Sequence, residues 1–179
     1  NISSGSLSYP AYLAAPGKEG VWPGVVMIHS FNGLEPGYLS LADRLAEEGY
    51  VVVAPEWQSF NRTPSDDTLG QLIQDCSALL QDRDDVQADK LGLTGFCAGG
   101  RYTMLFLPRM NQTFRSGVAW YGFPYSGGFL NESRPVEFID ELDDPLHIIH
   151  GTYDVPSKMV DIYRYAEELN ASSRYFENT

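Results

Sequence analysis

The chain has 179 residues, 43% hydrophobic and 20% charged, a make-up that fits one globular domain and excludes a collagen, a coiled coil or a disordered tail. No apolar run reaches the roughly 18 residues of a bilayer-spanning helix. Asp and Glu total 24 against 12 Lys and Arg; the resulting charge of -12 repels phosphate backbones and anionic lipid, so neither nucleic acid nor a membrane is expected as a partner.

Along the chain, strand and helix patterns alternate. Val25 to His29 is an apolar run bounded by Pro23-Gly24 and Asn32-Gly33, which suits a strand buried on both faces. Tyr38 to Glu48 places Leu41, Ala42, Leu45 and Ala46 on one helical face, and Gly49 is a natural stop. Tyr50 to Ala54 reads as a second buried strand, closed by Pro55. Pro64-Ser65-Asp66-Asp67 opens a helix with acid in its first turn, and Leu69, Leu72, Ile73, Cys76, Leu79 and Leu80 form its apolar stripe. Leu91 to Gly95 predicts a short strand, Ala98 to Leu107 a helix ended by Pro108, and Ser116 to Tyr121 a strand. Gly122 to Asp144 reads as a loop with a short helix. Leu146 to His150 predicts a strand, Ser157 to Leu169 an amphipathic helix, and Arg174 to Phe176 a last strand. This alternation implies an α/β fold: a mostly parallel central sheet with helices on both faces, binding ligands at the carboxyl ends of its strands.

The two cysteines, Cys76 and Cys97, are too few for a disulfide scaffold and lack metal-ligand spacing, so no metal is expected. Cys76 belongs to the apolar stripe of its helix. Cys97 lies in Gly95-Phe96-Cys97-Ala98-Gly99-Gly100, between a predicted strand and a predicted helix, with glycines two before and two after. That is the nucleophile-elbow pattern with cysteine in place of serine. The turn is tight enough that side chains at the flanking positions would clash. The central residue takes strained backbone angles, and the positive end of the following helix favours thiolate. A G-x-G-x-x-G dinucleotide spacing is absent, so no dinucleotide is expected at this turn, and the hydrolysis expected below requires no cofactor.

With this elbow and the strands around it, the chain resembles the dienelactone hydrolase family of α/β-hydrolases over nearly its whole length. The resemblance begins with the Tyr9–Pro16 segment. It runs through Pro23-Gly24-Val25-Val26-Met27-Ile28-His29 with Gly33-Leu34, through the Leu45–Pro55 stretch, and through Gly95-Phe96-Cys97-Ala98-Gly99-Gly100-Arg101. It ends with His150-Gly151-Thr152-Tyr153-Asp154-Val155-Pro156. The resemblance implies a Cys-His-Asp triad, in which Cys97 matches the nucleophile and Asp154 the acid that orients the imidazole and stabilises its cation. It implies an oxyanion hole from the backbone N–H groups of Ala98 and Phe31. Arg62, Ser30 and Tyr121 are the candidate substrate contacts, Arg62 for a carboxylate and Tyr121 as an apolar wall.

Two departures from the family accompany the match. Several members carry glutamate where this chain has Ser30, and serine cannot hold a resting thiol inactive by charge; substrate-triggered activation and strict dienelactone specificity therefore do not follow. The family's histidine lies in the loop after the last strand, and no histidine follows Asp154. The base is accordingly expected beyond Thr179, residues 1–179 being read as a single domain truncated at both ends. His29, His147 and His150 are read as structural.

The expected function is hydrolysis of a lactone or small carboxylic ester through a cysteine thioester, with a small-molecule partner, as monomer or homodimer. The alternatives are a general carboxylesterase of the same fold and an inactive hydrolase-fold binding protein. No signal peptide is visible, so a cytoplasmic location is expected and the five Asn-x-Ser/Thr triplets are read as chance.

Overall fold

A computed structural model describes residues 1–172. A small hairpin comes first, β1 (Ile2–Ser4) and β2 (Leu7–Tyr9), turned at Gly5 with φ 56°. The elements that follow are β3 (Ala11–Ala14), β4 (Trp22–Ile28), α1 (Pro36–Glu47), β5 (Val51–Pro55), α2 (Asp66–Gln81), β6 (Val86–Phe96) and α3 (Ala98–Arg109). Then come β7 (Ser116–Trp120), a 3-10 helix (Pro135–Glu141), β8 (Leu146–Ile149) and α4 (Met159–Ala171).

Six strands form the central sheet in the order β3-β5-β4-β6-β7-β8. Only β3 is antiparallel to its neighbour; the other pairs are parallel, with Val26 opposite Val53 and Leu93, and Trp120 opposite Phe96 and Ile149. Successive residues of each strand serve opposite faces. Val26, Ile28, Val51, Val53, Leu91 and Leu93 pack with the stripes of α2 and α3 and with Tyr165 and Leu169 of α4. Met27, Val52, Ala54 and Phe96 pack on the other face with Ala42 and Ala46 of α1. Burial on both faces is why these strands read as continuous apolar runs.

The departures from the sequence expectations have local causes. β6 starts at Val86 rather than Leu91: its first residues pair with Trp22 and Pro23, and the register then jumps at Gly24, so polar Gln87, Asp89 and Lys90 interrupt the apolar signal. α3 passes through Pro108 to Arg109, because Met104 to Pro108 are buried and that packing outweighs one missing N–H. α4 starts at Met159, two residues late, because Ser157 is engaged elsewhere. β7 and β8 each stop one residue early, at Trp120 and Ile149, and the hairpin β1–β2 carried no periodic signal. Ser65 opens α2, its Oγ accepting the Thr68 N–H at 3.2 Å. The strand expected at Arg174–Phe176 lies outside the described residues.

Candidate active site

β6 delivers Cys97 to the carboxyl edge of the sheet, directly before α3. Three glycines make this turn possible. A Cβ on Gly95 would overlap the Gly99 carbonyl, one on Gly99 the Ile28 carbonyl, and one on Gly100 the Trp120 carbonyl. Cys97 is held at φ 57° and ψ -112°, a strained conformation for a residue with a side chain. Its N–H donates to the Trp120 carbonyl at 3.0 Å, and its carbonyl accepts the Arg101 N–H at 3.0 Å. The side chain is partly exposed.

Ala98 is the first residue of α3, and a helix's first N–H groups have no partner within the helix. Phe31 follows the end of β4, inside a turn closed by the Gly33 N–H donating to the Ser30 carbonyl at 3.2 Å, a bond that does not use the Phe31 N–H. The two expected oxyanion donors thus follow the ends of neighbouring strands β4 and β6, Phe31 in a loop and Ala98 at the start of α3. Ser30 is buried, and its Oγ accepts the Asn32 N–H at 3.3 Å. The guanidinium of exposed Arg62 lies over the Phe31 ring at 4.5 Å. Phe129, from the long loop after β7, packs on Phe31 with ring centroids 4.7 Å apart.

Tyr121 follows β7 with φ 39°, its N–H donating to the Ile149 carbonyl at 2.7 Å. Its phenol is pushed up to about 12, first by burial and then by its neighbours Tyr38, Cys97 and Asp154. Tyr121 therefore stays protonated at neutral pH, within electrostatic reach of both residues expected to form the triad. Tyr38, Phe96, Trp120, Tyr121 and Glu35 line a cleft of about 500 Å3 at this edge. Asp154 lies in the loop after β8, where its Oδ1 accepts the Ser157 N–H at 2.9 Å; it caps this turn, and Lys158 holds the position before α4 without a side-chain capping bond.

The side-chain hydrogen bonds of His29 and His150 go to backbone carbonyls. His29 is fully buried and stacked on Trp57 at 5.1 Å; its Nδ1–H donates to the Ser30 carbonyl at 2.7 Å, which leaves Nε2 as a buried acceptor with no partner among the described residues. Burial lowers its pKa to about 4, so the ring is neutral. His150 Nε2–H donates to the Ser157 carbonyl at 2.7 Å, and His147 is exposed on β8. Cys76 is buried and its thiol is pushed up to about 12 by desolvation, as a core residue. No group of three or more His, Cys, Asp or Glu side chains that could hold a metal occurs among the described residues, and no helix there is long and apolar enough to cross a membrane.

Sequence reasoning missed Tyr38, Phe129 and Ser157. The first was read only as a helix start, the second lay in a glycine-rich loop without pattern, and the third was assigned to a helix that begins two residues later.

Known proteins bear on this geometry. The Salmonella typhimurium protein named "Putative carboxymethylenebutenolidase" is 31% identical over 186 residues, covering 93% of this chain and 68% of that one. A Klebsiella pneumoniae crystal structure titled "Putative Dienelactone Hydrolase" superposes with a TM-score of 0.87 at 26% identity, over 96% of this chain and 78% of that one. Est1E from Butyrivibrio proteoclasticus, 16% identical with a TM-score of 0.78, shares the fold, over 93% of this chain and 83% of its own. The sequence model described as "Dienelactone hydrolase family" matches residues 9–177, and with the elbow at Cys97 and the α/β-hydrolase sheet around it, this chain belongs to that family.

Proposed function

We propose that this protein hydrolyses a lactone or small carboxylic ester through a thioester on Cys97. The observation that carries the reading is Cys97 itself: a strained, partly exposed thiol at a strand-to-helix turn that three glycines make possible. In this mechanism a histidine base takes the proton of the Cys97 thiol, the sulfur attacks the carbonyl carbon and an S–C bond forms. The carbonyl electrons move onto oxygen, and the N–H groups of Ala98 and Phe31 stabilise that charge. Collapse breaks the C–O bond of the ester or lactone, and the departing oxygen takes a proton from the histidine conjugate acid. Water then attacks the thioester, the S–C bond breaks, and the acid is released.

Asp154 is the acid partner of that histidine, and none of His29, His147 and His150 is assigned that role. The protonated Tyr121 bounds the reaction site between Cys97 and Asp154. Arg62, stacked on Phe31, offers a cation at the rim for a substrate carboxylate.

A pre-steady-state burst with p-nitrophenyl acetate, run beside Cys97→Ala, tests the reading. A stoichiometric burst that the variant loses supports Cys97 as nucleophile. Steady turnover after the burst shows a working base, and a burst that stalls shows acylation without deacylation. A folded parent chain without a burst would sink the proposal in favour of a binding protein.

A further inference from the structure

The loop that carries Asp154 has little packing to hold it. Tyr153 and Val155, on either side of the carboxylate, are 95% and 78% exposed. One buried residue ties this loop to the rest of the site. Ser157 is 3% exposed and uses three of its polar groups at once. Its N–H donates to Asp154 Oδ1 at 2.9 Å, its hydroxyl donates to the Gly122 carbonyl at 2.6 Å, and its own carbonyl accepts from His150 Nε2 at 2.7 Å. These partners belong to different segments: Gly122 leaves β7, and His150 leaves β8.

Gly122 is in turn wedged against the elbow helix. A Cβ on Gly122 would lie 2.7 Å from the carbonyl carbon of Gly100, and one on Gly100 would lie 3.0 Å from the Gly122 Cα. Gly100 is three residues after Cys97. The path from acid to nucleophile is therefore Asp154, Ser157, Gly122, Gly100 and Cys97, and each step is a hydrogen bond, a backbone contact or one turn of helix. Backbone contacts between glycines leave no slack, since no side chain can readjust between them.

We propose that Ser157 is a positioning residue that sets Asp154 relative to Cys97, through its hydroxyl on the Gly122 carbonyl. The proposal rests on the reading of Asp154 as the acid of the triad. Without the hydroxyl, the Gly122 carbonyl loses its donor and the Asp154 loop loses its tie to the elbow, while the Ser157 N–H to Asp154 bond remains. The imidazole is then less well oriented and its cation less well stabilised. Substrate binding does not pass through this chain of contacts, so the defect falls on kcat rather than KM.

The test uses the protein in its complete natural form, with p-nitrophenyl acetate as substrate. Ser157→Ala, Asp154→Asn and the double variant are compared, together with the near-isosteric pair Ser157→Thr and Ser157→Val, which differ only in the hydroxyl. A misplacement of about 1 Å costs up to ~10²-fold in rate, so Ser157→Ala is expected to lower kcat by about 10- to 100-fold. KM stays within about twofold, and the acidic limb of the kcat/KM profile moves to lower pH. In the Asp154→Asn background the serine substitution adds no further loss, and Ser157→Thr retains far more activity than Ser157→Val.

Equal losses in both backgrounds, or equal activity of the Thr and Val variants, would overturn the role of Ser157 while leaving Asp154 as the acid. An Asp154→Asn variant with undiminished kcat would overturn the acid reading, and this role with it. Should Ser157→Ala not fold, the Thr and Val pair decides the matter.

Discussion

Cys97 combines a side chain with a backbone conformation that favours glycine, and that combination is a direct measure of strain. Positive φ at a non-glycine residue of this kind stores about 1–3 kcal/mol, partly offset in a glycine variant by about 0.5–1 kcal/mol of unfolded-state entropy. Cys97→Gly is expected to be more stable than Cys97→Ala by about 1 kcal/mol in urea denaturation; an equal or lower stability would show that the elbow carries no strain. His29 makes the second residue-scale prediction. Its folded pKa of about 4 lies below the ordinary 6.5, with burial as the leading cause. Above pH 6.5 the ring is neutral in both states. Between 6.5 and 4 only the unfolded chain takes up the proton, so stability falls as pH falls, by on the order of 3 kcal/mol, and levels below 4. Subtracting the pH profile of His29→Gln from that of the parent isolates this slope, and parallel profiles would contradict it. The elbow was legible at this scale because glycine spacing is a local property. The solitary Nε2 of His29 was not, because its burial is a product of tertiary packing, in which Trp57, 28 residues away along the chain, stacks on the ring.

Arg101 follows the elbow on α3 and is buried there. The structure makes it a fastener between elements. Its Nη1 and Nη2 donate to the two carboxylate oxygens of Asp66, both at 2.8 Å, with side-chain exposures of 3% and 7%. Nε donates to the Ser126 carbonyl at 2.9 Å and Nη2 also to the Ser133 carbonyl at 2.6 Å. Glu132 closes the set by accepting the Asp66 N–H at 2.7 Å. The start of α2 and the loop bearing Phe129 are thereby joined to the nucleophile's helix. A buried pair is weak evidence of net stability, but removing one partner strands the other charge. Arg101→Met is expected to cost about 3–5 kcal/mol, and adding Asp66→Leu to recover much of it. Denaturation of the single and double variants checks this; no recovery in the double variant would mean that the carbonyl contacts, not the ion pair, dominate. The acids of the Pro64–Asp67 stretch were read as favourable to a helix N-terminus, which the Ser65 cap and Asp66–Gln81 span agree with. Their long-range partner is invisible to local spacing, since Asp66 and Arg101 are 35 residues apart.

Across the whole molecule, the sheet's two faces are unequally dressed. α2, α3 and α4 share one core, and α1 serves the other, beside an apolar cleft of about 460 Å3 lined by Val25, Leu41, Leu45, Leu93, Val118 and Trp120. The order of elements from β4 to α4, the mostly parallel sheet with helices on both faces and the place of Cys97 were legible in the sequence itself. Each depends on patterns a few residues long: apolar runs for strands buried twice, a 3.6-residue stripe for helices, and glycines around a tight turn. Tertiary structure alone decided which loops meet at the carboxyl edge. The stack of Arg62 on Phe31, the packing of Phe129 on Phe31, the Asp66–Arg101 pair and the Ser157 hydroxyl on Gly122 join segments distant in sequence. Their geometry follows from strand order, register and close packing, which no spacing along the chain encodes.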